Sequence, residues 1–145
     1  MQPSHDMLVL DVGVGSDRKT EANIFEKAYP WPDRIVAVGL ENASFLEKEY
    51  KGLRYIFCNG LNLPFKNKAF DLVVSIAVIE HIGSRQRQKD FVHELVRVGK
   101  NCCIVAPNRW FPLEVHTLIP LIHWLPFNWF RKILRLAGNN FRNNF

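Results

Sequence analysis

The sequence lacks the marks of a disulfide-stabilised, metal-stabilised or membrane-spanning protein. Its three cysteines, Cys58, Cys102 and Cys103, are an odd number without a CxxC spacing, which argues against a disulfide framework and a cysteine zinc site. No uninterrupted apolar run reaches the ~18 residues of a transmembrane helix, and no signal segment is recognisable. We therefore expect a reduced, cytoplasmic protein whose 145 residues bury a core of their own.

Acidic side chains are scarce at one end of the chain. The net charge is +5, and residues 109–145 contain five basic side chains and one acidic one, so the rest of the chain is close to neutral. A near-neutral body argues against a nucleic-acid partner. The basic end is rich in tryptophan and proline, which is consistent with a lid over a site or with contact to an anionic membrane surface. Its Glu114, His116 and His123 have no further ligand at a recognisable spacing, so no metal site is predicted.

Solid apolar runs alternate with amphipathic stretches from the start of the chain to Ala106. The runs predict five strands, Leu8–Val12, Arg34–Leu40, Leu53–Cys58, Phe70–Ala77 and Asn101–Ala106. The stretches between them predict helices over Thr20–Ala28, Ala43–Tyr50 and Arg85–Val98, with Ile24 and Phe25 facing inward and Gly99 as a left-handed helix end. This alternation is typical of an α/β fold, an open, doubly wound and mostly parallel sheet covered on both faces. A ligand crevice is expected beyond the carboxyl ends of its strands.

Two glycines follow the first strand in LVLDVGVGSD. Gly13 and Gly15 are consistent with a strained turn or with a turn that lets a ligand approach the backbone. The dinucleotide fingerprint would need glycine where Arg18 stands, and the phosphate-loop pattern is absent. Asp17 would repel a pyrophosphate by about 1–4 kcal/mol at a surface-like dielectric. A ligand that carries an ammonium and a sulfonium would not be repelled, which favours S-adenosylmethionine over NAD or ATP.

Four stretches resemble the class I S-adenosylmethionine-dependent methyltransferases that act on small molecules or lipids. They are VLDVGVG at 9–15, AVGLE at 37–41, NLPFKNKAFDLVVSIAVIEHI at 62–82 and ELVRVGKNCCIVAPN at 94–108. The resemblance implies a Rossmann-like methyltransferase fold with S-adenosylmethionine as cofactor. It predicts a cofactor-binding core over residues 1–108, followed by a lid or interface segment over 109–145.

The resemblance also implies elements that the sequence does not show. Members of the family usually have a helical segment ahead of the first strand and two more strands at one edge of the sheet. We find neither pattern, so we expect a sheet without its last edge strands and with an exposed fifth strand. Because an exposed edge invites pairing, the tail or a homodimer partner is expected to cover it.

The resemblance assigns cofactor contacts to nine residues. Asp11, Gly13 and Gly15 would cradle the methionine part, Glu41 would accept hydrogen bonds from both ribose hydroxyls, and Asn59 would meet the adenine amino group. Gly60 and Leu61 would line the adenine edge, and Ser75 and Ile76, with Ala77, would lie near the transferred methyl group. Asp17 takes the place of the family's third glycine, and its side chain is expected to narrow the cradle or shift the turn.

Other interpretations of the same residues stay open. A strand-end aspartate such as Asp11 often caps a turn, Glu41 also suits a solvated helix start, and Asn59 and Gly60 suit a plain turn. His81 is a candidate proton acceptor or a residue that holds a loop. Since a sulfonium is already an activated leaving group and alignment alone lowers the barrier, we nominate no catalytic residue.

The leading prediction is a methyltransferase with a small-molecule or lipid-like acceptor and no nucleic-acid partner. A non-catalytic binding or interaction module of the same fold is the alternative, and a nucleotide-dependent oxidoreductase is disfavoured because no phosphate cradle is present. Peripheral membrane contact through the tail and homodimerisation are additional expectations.

Overall fold

The computed structural model describes residues 3–18 and 22–106. The chain divides into two units, Met1–Ala106 and Pro107–Phe145, and the described residues belong to the first. The predictions for the tail, as lid, interface or membrane contact, and for further edge strands fall outside the described residues. Within the described part of the chain, no helix is long and apolar enough to cross a membrane.

Five strands and three helices follow one another in the order that the apolar pattern predicts. The strands are β1 (Val9–Val12), β2 (Ile35–Gly39), β3 (Arg54–Phe57), β4 (Phe70–Ile76) and β5 (Gly99–Val105). The helices are α1 (Ile24–Ala28), α2 (Phe45–Glu49) and α3 (Arg85–Val98), with 3-10 turns at Pro32–Arg34 and Ile79–His81.

All neighbouring strands are parallel, in the order β3-β2-β1-β4-β5. The chain moves outward from β1 to β3, then returns to the other side of β1 with β4 and continues to β5. This confirms the predicted open, doubly wound sheet. The direction of winding reverses between β1 and β4, and a crevice opens at the carboxyl ends of strands at such a point.

Alternate residues of the central strands point to opposite faces of the sheet, so the sheet has a core on each side. Leu10 and Val12 pack with Phe91 and Leu95 of α3 on one face. Val9 belongs to the other core, which also contains Ala43, Leu46 of α2 and the partly buried Phe25 of α1. Both faces of β1 and β2 are buried, which explains why these strands read as continuous apolar runs.

Two details of the predicted helices are wrong. Ile24 was expected to face inward, but it is the first residue of α1 and is 54% exposed. The buried side chain of this helix is Glu26. Gly99 is not a left-handed cap, since its φ of −100° and ψ of 143° make it the first residue of β5. Glycine is needed there for space, because an added Cβ would lie 2.5 Å from Val73 Cγ2.

An ion pair on α3 holds the loop that precedes β4. Arg97 donates from Nη1 to the Phe65 carbonyl at 2.7 Å and from Nη2 to the Leu63 carbonyl at 2.9 Å. Glu94 accepts from Arg97 Nε and Nη2, both at 2.7 Å, and from the Leu63 N–H at 2.7 Å. The hydrogen bonds from Arg97 hold the pKa of Glu94 below its ordinary value. These contacts give a structural role to the ELVRV part of the fourth stretch.

We predict that Glu94→Gln lowers the free energy of unfolding at pH 7 by about 1–3 kcal/mol, the range for losing a hydrogen bond to a charged group. Both carboxylate oxygens of Glu94 accept N–H groups, so the amide nitrogen of glutamine must face a donor. Because the folded pKa of Glu94 is lowered, its stabilisation is present above the ordinary value of 4.5 and is lost as the pH falls through the folded value. The difference between the two proteins should therefore shrink on acidification.

Urea unfolding at pH 7 and at pH 3 measures this difference. Asp90→Asn is the matched control, since it removes an exposed carboxylate from the same helix. Equal losses for Glu94→Gln and Asp90→Asn would contradict the proposed role of the ion pair.

Candidate cofactor site

The turn after β1 separates two cavities at the carboxyl ends of the strands. The larger cavity has a volume of about 290 Å³ and is lined by this turn, by the ends of β2 and β3, by the segment after β4 and by Phe91. The smaller cavity, of about 260 Å³, is lined by Asp11, the same turn, the start of α1 and residues 76–77. Residues 12–15 and Ala77 line both, so the two cavities meet along the glycine turn.

Gly13 allows the turn to lie against the segment that follows β4. Its φ is +113°, a conformation that L side chains rarely adopt, and an added Cβ would collide with the Val78 side chain. The Gly13 N–H donates to the Val38 carbonyl at 2.8 Å, which fastens the turn to the end of β2. Glycine is therefore required here by both conformation and space.

Glu41 lies at the rim of the larger cavity and holds the glycine turn. Its Oε2 accepts the Ser16 N–H at 2.8 Å and the Ser16 hydroxyl at 2.5 Å. These two hydrogen bonds lower the pKa of Glu41 from its ordinary value, so the exposed side chain is a carboxylate at neutral pH. Its Oε1 makes no hydrogen bond with the residues described and is available to a ligand hydroxyl.

Asn59 and Gly60 line the larger cavity on the side of β3. The Asn59 Oδ1 accepts the Leu61 N–H at 3.0 Å, which is the plain-turn arrangement, and one lone pair of this oxygen is left for a further hydrogen bond. Leu61 packs against the core on the α3 face and lines neither cavity.

Two acidic side chains are buried together behind the smaller cavity. Asp11 is 6% exposed and Glu26 is 1% exposed. Burial, with the neighbouring Glu26 carboxylate, raises the pKa of Asp11 well above its ordinary value. Neither carboxylate oxygen of Glu26 has a hydrogen-bond partner among residues 3–18 and 22–106. The raised pKa means that ionising Asp11 is costly here, and a positively charged ligand group in the cavity that Asp11 lines would offset that cost.

The residues at the end of β4 divide between core and site. Ser75 is buried, and its hydroxyl donates to the Val12 carbonyl at 3.0 Å, so it joins β4 to β1 and lines neither cavity. Ile76 lines the smaller cavity, and Ala77, with a φ of +55°, lines both. His81 lines the larger cavity. No group of three or more potential metal ligands occurs in the part of the chain that the structure describes.

Asp17 was expected to narrow the cradle or to shift the turn, and the structure does not support the narrowing. Asp17 is exposed and lines neither of the two cavities. Its carbonyl accepts from Asn23 Nδ2 at 3.2 Å. The next residue, Arg18, stacks over the Phe45 ring at 4.7 Å from its centroid, outside the site.

Sequence reasoning missed three residues that shape the site: Ser16, Asn23 and Glu26. Asn23 accepts the Gly15 N–H and donates to the Gly15 carbonyl, both at 3.2 Å, and its φ of +51° is one that asparagine tolerates better than most residues. The sequence held a signal for Glu26 alone, because this acid stands between apolar residues in IFEKA. The pairing of Ser16 with Glu41 joins residues 25 positions apart and left no local pattern.

Comparison with known families and curated proteins agrees with this geometry. The family model described as "Methyltransferase domain" matches residues 10–105. The human protein named probable tRNA methyltransferase 9B is 29% identical over 93 residues, which cover 63% of this chain and 18% of that protein. The tRNA (carboxymethyluridine(34)-5-O)-methyltransferase of Arabidopsis thaliana is 32% identical over 78 residues, 54% of this chain and 19% of that protein. The chain thus aligns with about a fifth of the length of these curated relatives.

Solved structures show the same fold. An amino pentose methyltransferase from Micromonospora echinaspora, solved with S-adenosylmethionine bound, has a TM-score of 0.53 and 20% identity over 74% of this chain and 45% of its own. The geranyl diphosphate C-methyltransferase of Streptomyces coelicolor has a TM-score of 0.51 and 20% identity, over 68% of this chain and 37% of its own. At these identities the likeness establishes the fold alone.

We predict opposite effects of Asp11→Asn on stability and on ligand binding. Because the folded pKa of Asp11 is raised, the stability of the ligand-free protein falls as the pH rises from the ordinary value of 3.8 toward the folded value. Asparagine removes that loss, so the free energy of unfolding at neutral pH should increase. If Asp11 binds the ammonium of S-adenosylhomocysteine, the affinity should fall about tenfold, the equivalent of one charged hydrogen bond, because asparagine cannot ionise.

Urea unfolding and calorimetry measure the two effects. Methylthioadenosine, which lacks the amino-acid part, should bind Asp11→Asn and the original protein equally well. Asp6→Asn, the loss of an exposed carboxylate, is the control for both measurements. A loss of stability, or equal weakening for the two ligands, would contradict the role given to Asp11.

Proposed function

The chain belongs to the methyltransferase domain family of class I S-adenosylmethionine-dependent enzymes, and from this premise we propose that it binds S-adenosylmethionine and transfers its methyl group to an acceptor. The observation that carries the proposal is the pair of cavities that meet at Gly13–Gly15. One is lined by Asp11, with Glu26 buried beside it, and the other is lined by an ionised glutamate and an asparagine, which suits a ligand with an ammonium and a sulfonium in one part and a neutral nucleoside as the other.

Each part of the cofactor has residues that suit it. The free Oε1 of Glu41 suits a ribose hydroxyl, and Asn59 and Gly60 suit the adenine edge. Asp11 lines the smaller cavity, and although its pKa is raised in the ligand-free protein, a bound ammonium would favour its ionised form. When bound, the cofactor supplies a methyl group on a cationic sulfur. The protein would hold that group where the two cavities meet, beside Ala77.

The residues around the site act mainly by positioning. Alignment of donor and acceptor in a confined site lowers the barrier by several kcal/mol without a base. His81 lines the larger cavity and is the candidate to accept a proton where the acceptor atom carries one. Its position follows from the 3-10 turn Ile79–His81, in which the His81 N–H donates to the Val78 carbonyl at 2.9 Å.

We propose a nucleoside of an RNA as the acceptor. Curated relatives at 28–32% identity are named as tRNA methyltransferases, which runs against the exclusion of nucleic acid made from charge alone. The five basic side chains and single acidic one within residues 109–145 also suit a polyanionic acceptor. A small molecule is the second candidate, because the norajmaline N-methyltransferase of Rauvolfia serpentina is 35% identical over 63 residues.

Methyl transfer from labelled S-adenosylmethionine tests the proposal. Unmodified and naturally modified tRNA, a panel of amines and phenols, and phospholipid vesicles are offered as acceptors. We expect label in tRNA, and an increase of at least tenfold in the KM for S-adenosylmethionine on Glu41→Ala, because a charged acceptor of hydrogen bonds is lost. Glu49→Ala, the loss of an exposed glutamate on α2, should leave the KM unchanged.

The outcomes separate the competing functions. Label in the small-molecule panel alone would replace the RNA acceptor by the second candidate. Binding of S-adenosylhomocysteine without transfer to any acceptor would favour a non-catalytic module. A protein that binds neither S-adenosylmethionine nor S-adenosylhomocysteine would contradict the proposed function.

A further inference from the structure

A shallow groove runs along the outer side of α3. Its volume is about 360 Å³, and it is lined by Ile79, Arg85, Gln88, Lys89, Val92 and His93. Gln88 fixes its wall, since Nε2 donates to the Ile79 carbonyl at 3.2 Å and to the Gly83 carbonyl at 3.4 Å. The groove is therefore built between the helix and the 3-10 turn that follows β4.

The groove is basic. Arg85, Lys89 and His93 are four residues apart in sequence, so their side chains form one stripe along the helix. None of the three forms a salt bridge with an acid in the described ranges. Two acids of α3 are engaged elsewhere: Asp90 accepts from Gln86 at 2.9 Å, and Glu94 pairs with Arg97. Glu80, exposed on the 3-10 turn, directly follows Ile79 and is the third acid that neighbours a groove residue in sequence.

The groove lies close to the candidate cofactor site. Phe91 of α3 lines the larger cavity, and the next residue, Val92, lines the groove. On the 3-10 turn, Ile79 lines the groove and His81 lines the cavity. An α-helix with its side chains is about 10–12 Å wide. A nucleic-acid strand that rises ~3.4 Å per nucleotide would therefore pass from the groove across α3 to the cavity in about three to four nucleotides.

We propose that this groove holds the phosphate backbone of the RNA acceptor while one of its nucleosides enters the cofactor site. The inference rests on the proposed function and adds the surface that binds the acceptor. Arg85 and Lys89 neutralise phosphates, and Val92 with Ile79 provides an apolar floor for a sugar or a base. Arg85 and Lys89 supply affinity and fix the position of the RNA strand on the protein. The cofactor site selects the atom that is methylated.

Fluorescence anisotropy of a labelled, unmodified tRNA transcript tests the groove with the full 145-residue chain. At about 50 mM salt, Lys89→Glu should weaken binding at least tenfold, and the double change Arg85→Gln/Lys89→Gln should reduce the slope of log affinity against log salt by about two. Arg87→Glu makes the same kind of charge change on the same helix outside the groove, and it should alter binding less than about threefold.

Calorimetry with S-adenosylhomocysteine separates this proposal from the proposed function. Every groove variant should bind S-adenosylhomocysteine as the original chain does. Unchanged tRNA affinity in Lys89→Glu, an equal loss in Arg87→Glu, or no binding of tRNA by the original chain would overturn the groove as an RNA surface. Weakened binding of Lys89→Glu to phosphatidylglycerol vesicles, with no change toward tRNA, would also overturn it. A failure to bind S-adenosylhomocysteine would instead overturn the proposed function.

Discussion

The close approach of the Gly13 backbone to Val78 is the constraint on which the site depends. It brings the turn after β1 against the segment after β4, at the point where the winding of the parallel sheet reverses. A Cβ at Gly13 would occupy the space of the Val78 side chain. The two cavities exist as neighbours because this contact forms one narrow wall between them. Asn23 on one side and Ser16 with Glu41 on the other hold that wall by hydrogen bonds.

Charge gives the two cavities different chemistry. Glu41 is exposed, hydrogen-bonded and ionised, whereas Asp11 and Glu26 are buried side by side without a cation among the described residues. Ionising Asp11 in this buried pair is costly in the ligand-free protein, as its raised pKa shows, and a positively charged ligand group beside it would offset that cost. In the proposed binding mode, the smaller cavity selects the ligand by charge and the larger cavity selects it by hydrogen bonds.

The sheet could be predicted from the sequence because Val9–Val12 and Ile35–Gly39 are buried on both faces and leave unbroken apolar runs. Gly13, Gly15, Glu41, Asn59 and Gly60 line one cavity, and the sequence could predict this because each lies within three residues of a strand end, where parallel topology gathers residues into one crevice. Ser75 was predicted to lie near the transferred methyl group. Its side chain points into the core because successive side chains of β4 point to opposite faces of the sheet. Asn23 escaped prediction because its bonds to Gly15 and Asp17 depend on the loop geometry, and the IFEKA pattern that contains Glu26 does not record its burial beside Asp11.

A crystal structure of the full chain with S-adenosylhomocysteine tests the central claim most directly. The account predicts density that crosses the glycine turn, with the ribose at Glu41, the adenine beside Asn59 and Gly60, and the ammonium directed at Asp11. Density that lies away from Gly13–Gly15, or a ligand bound in the reverse direction with its adenine beside Asp11, would contradict it.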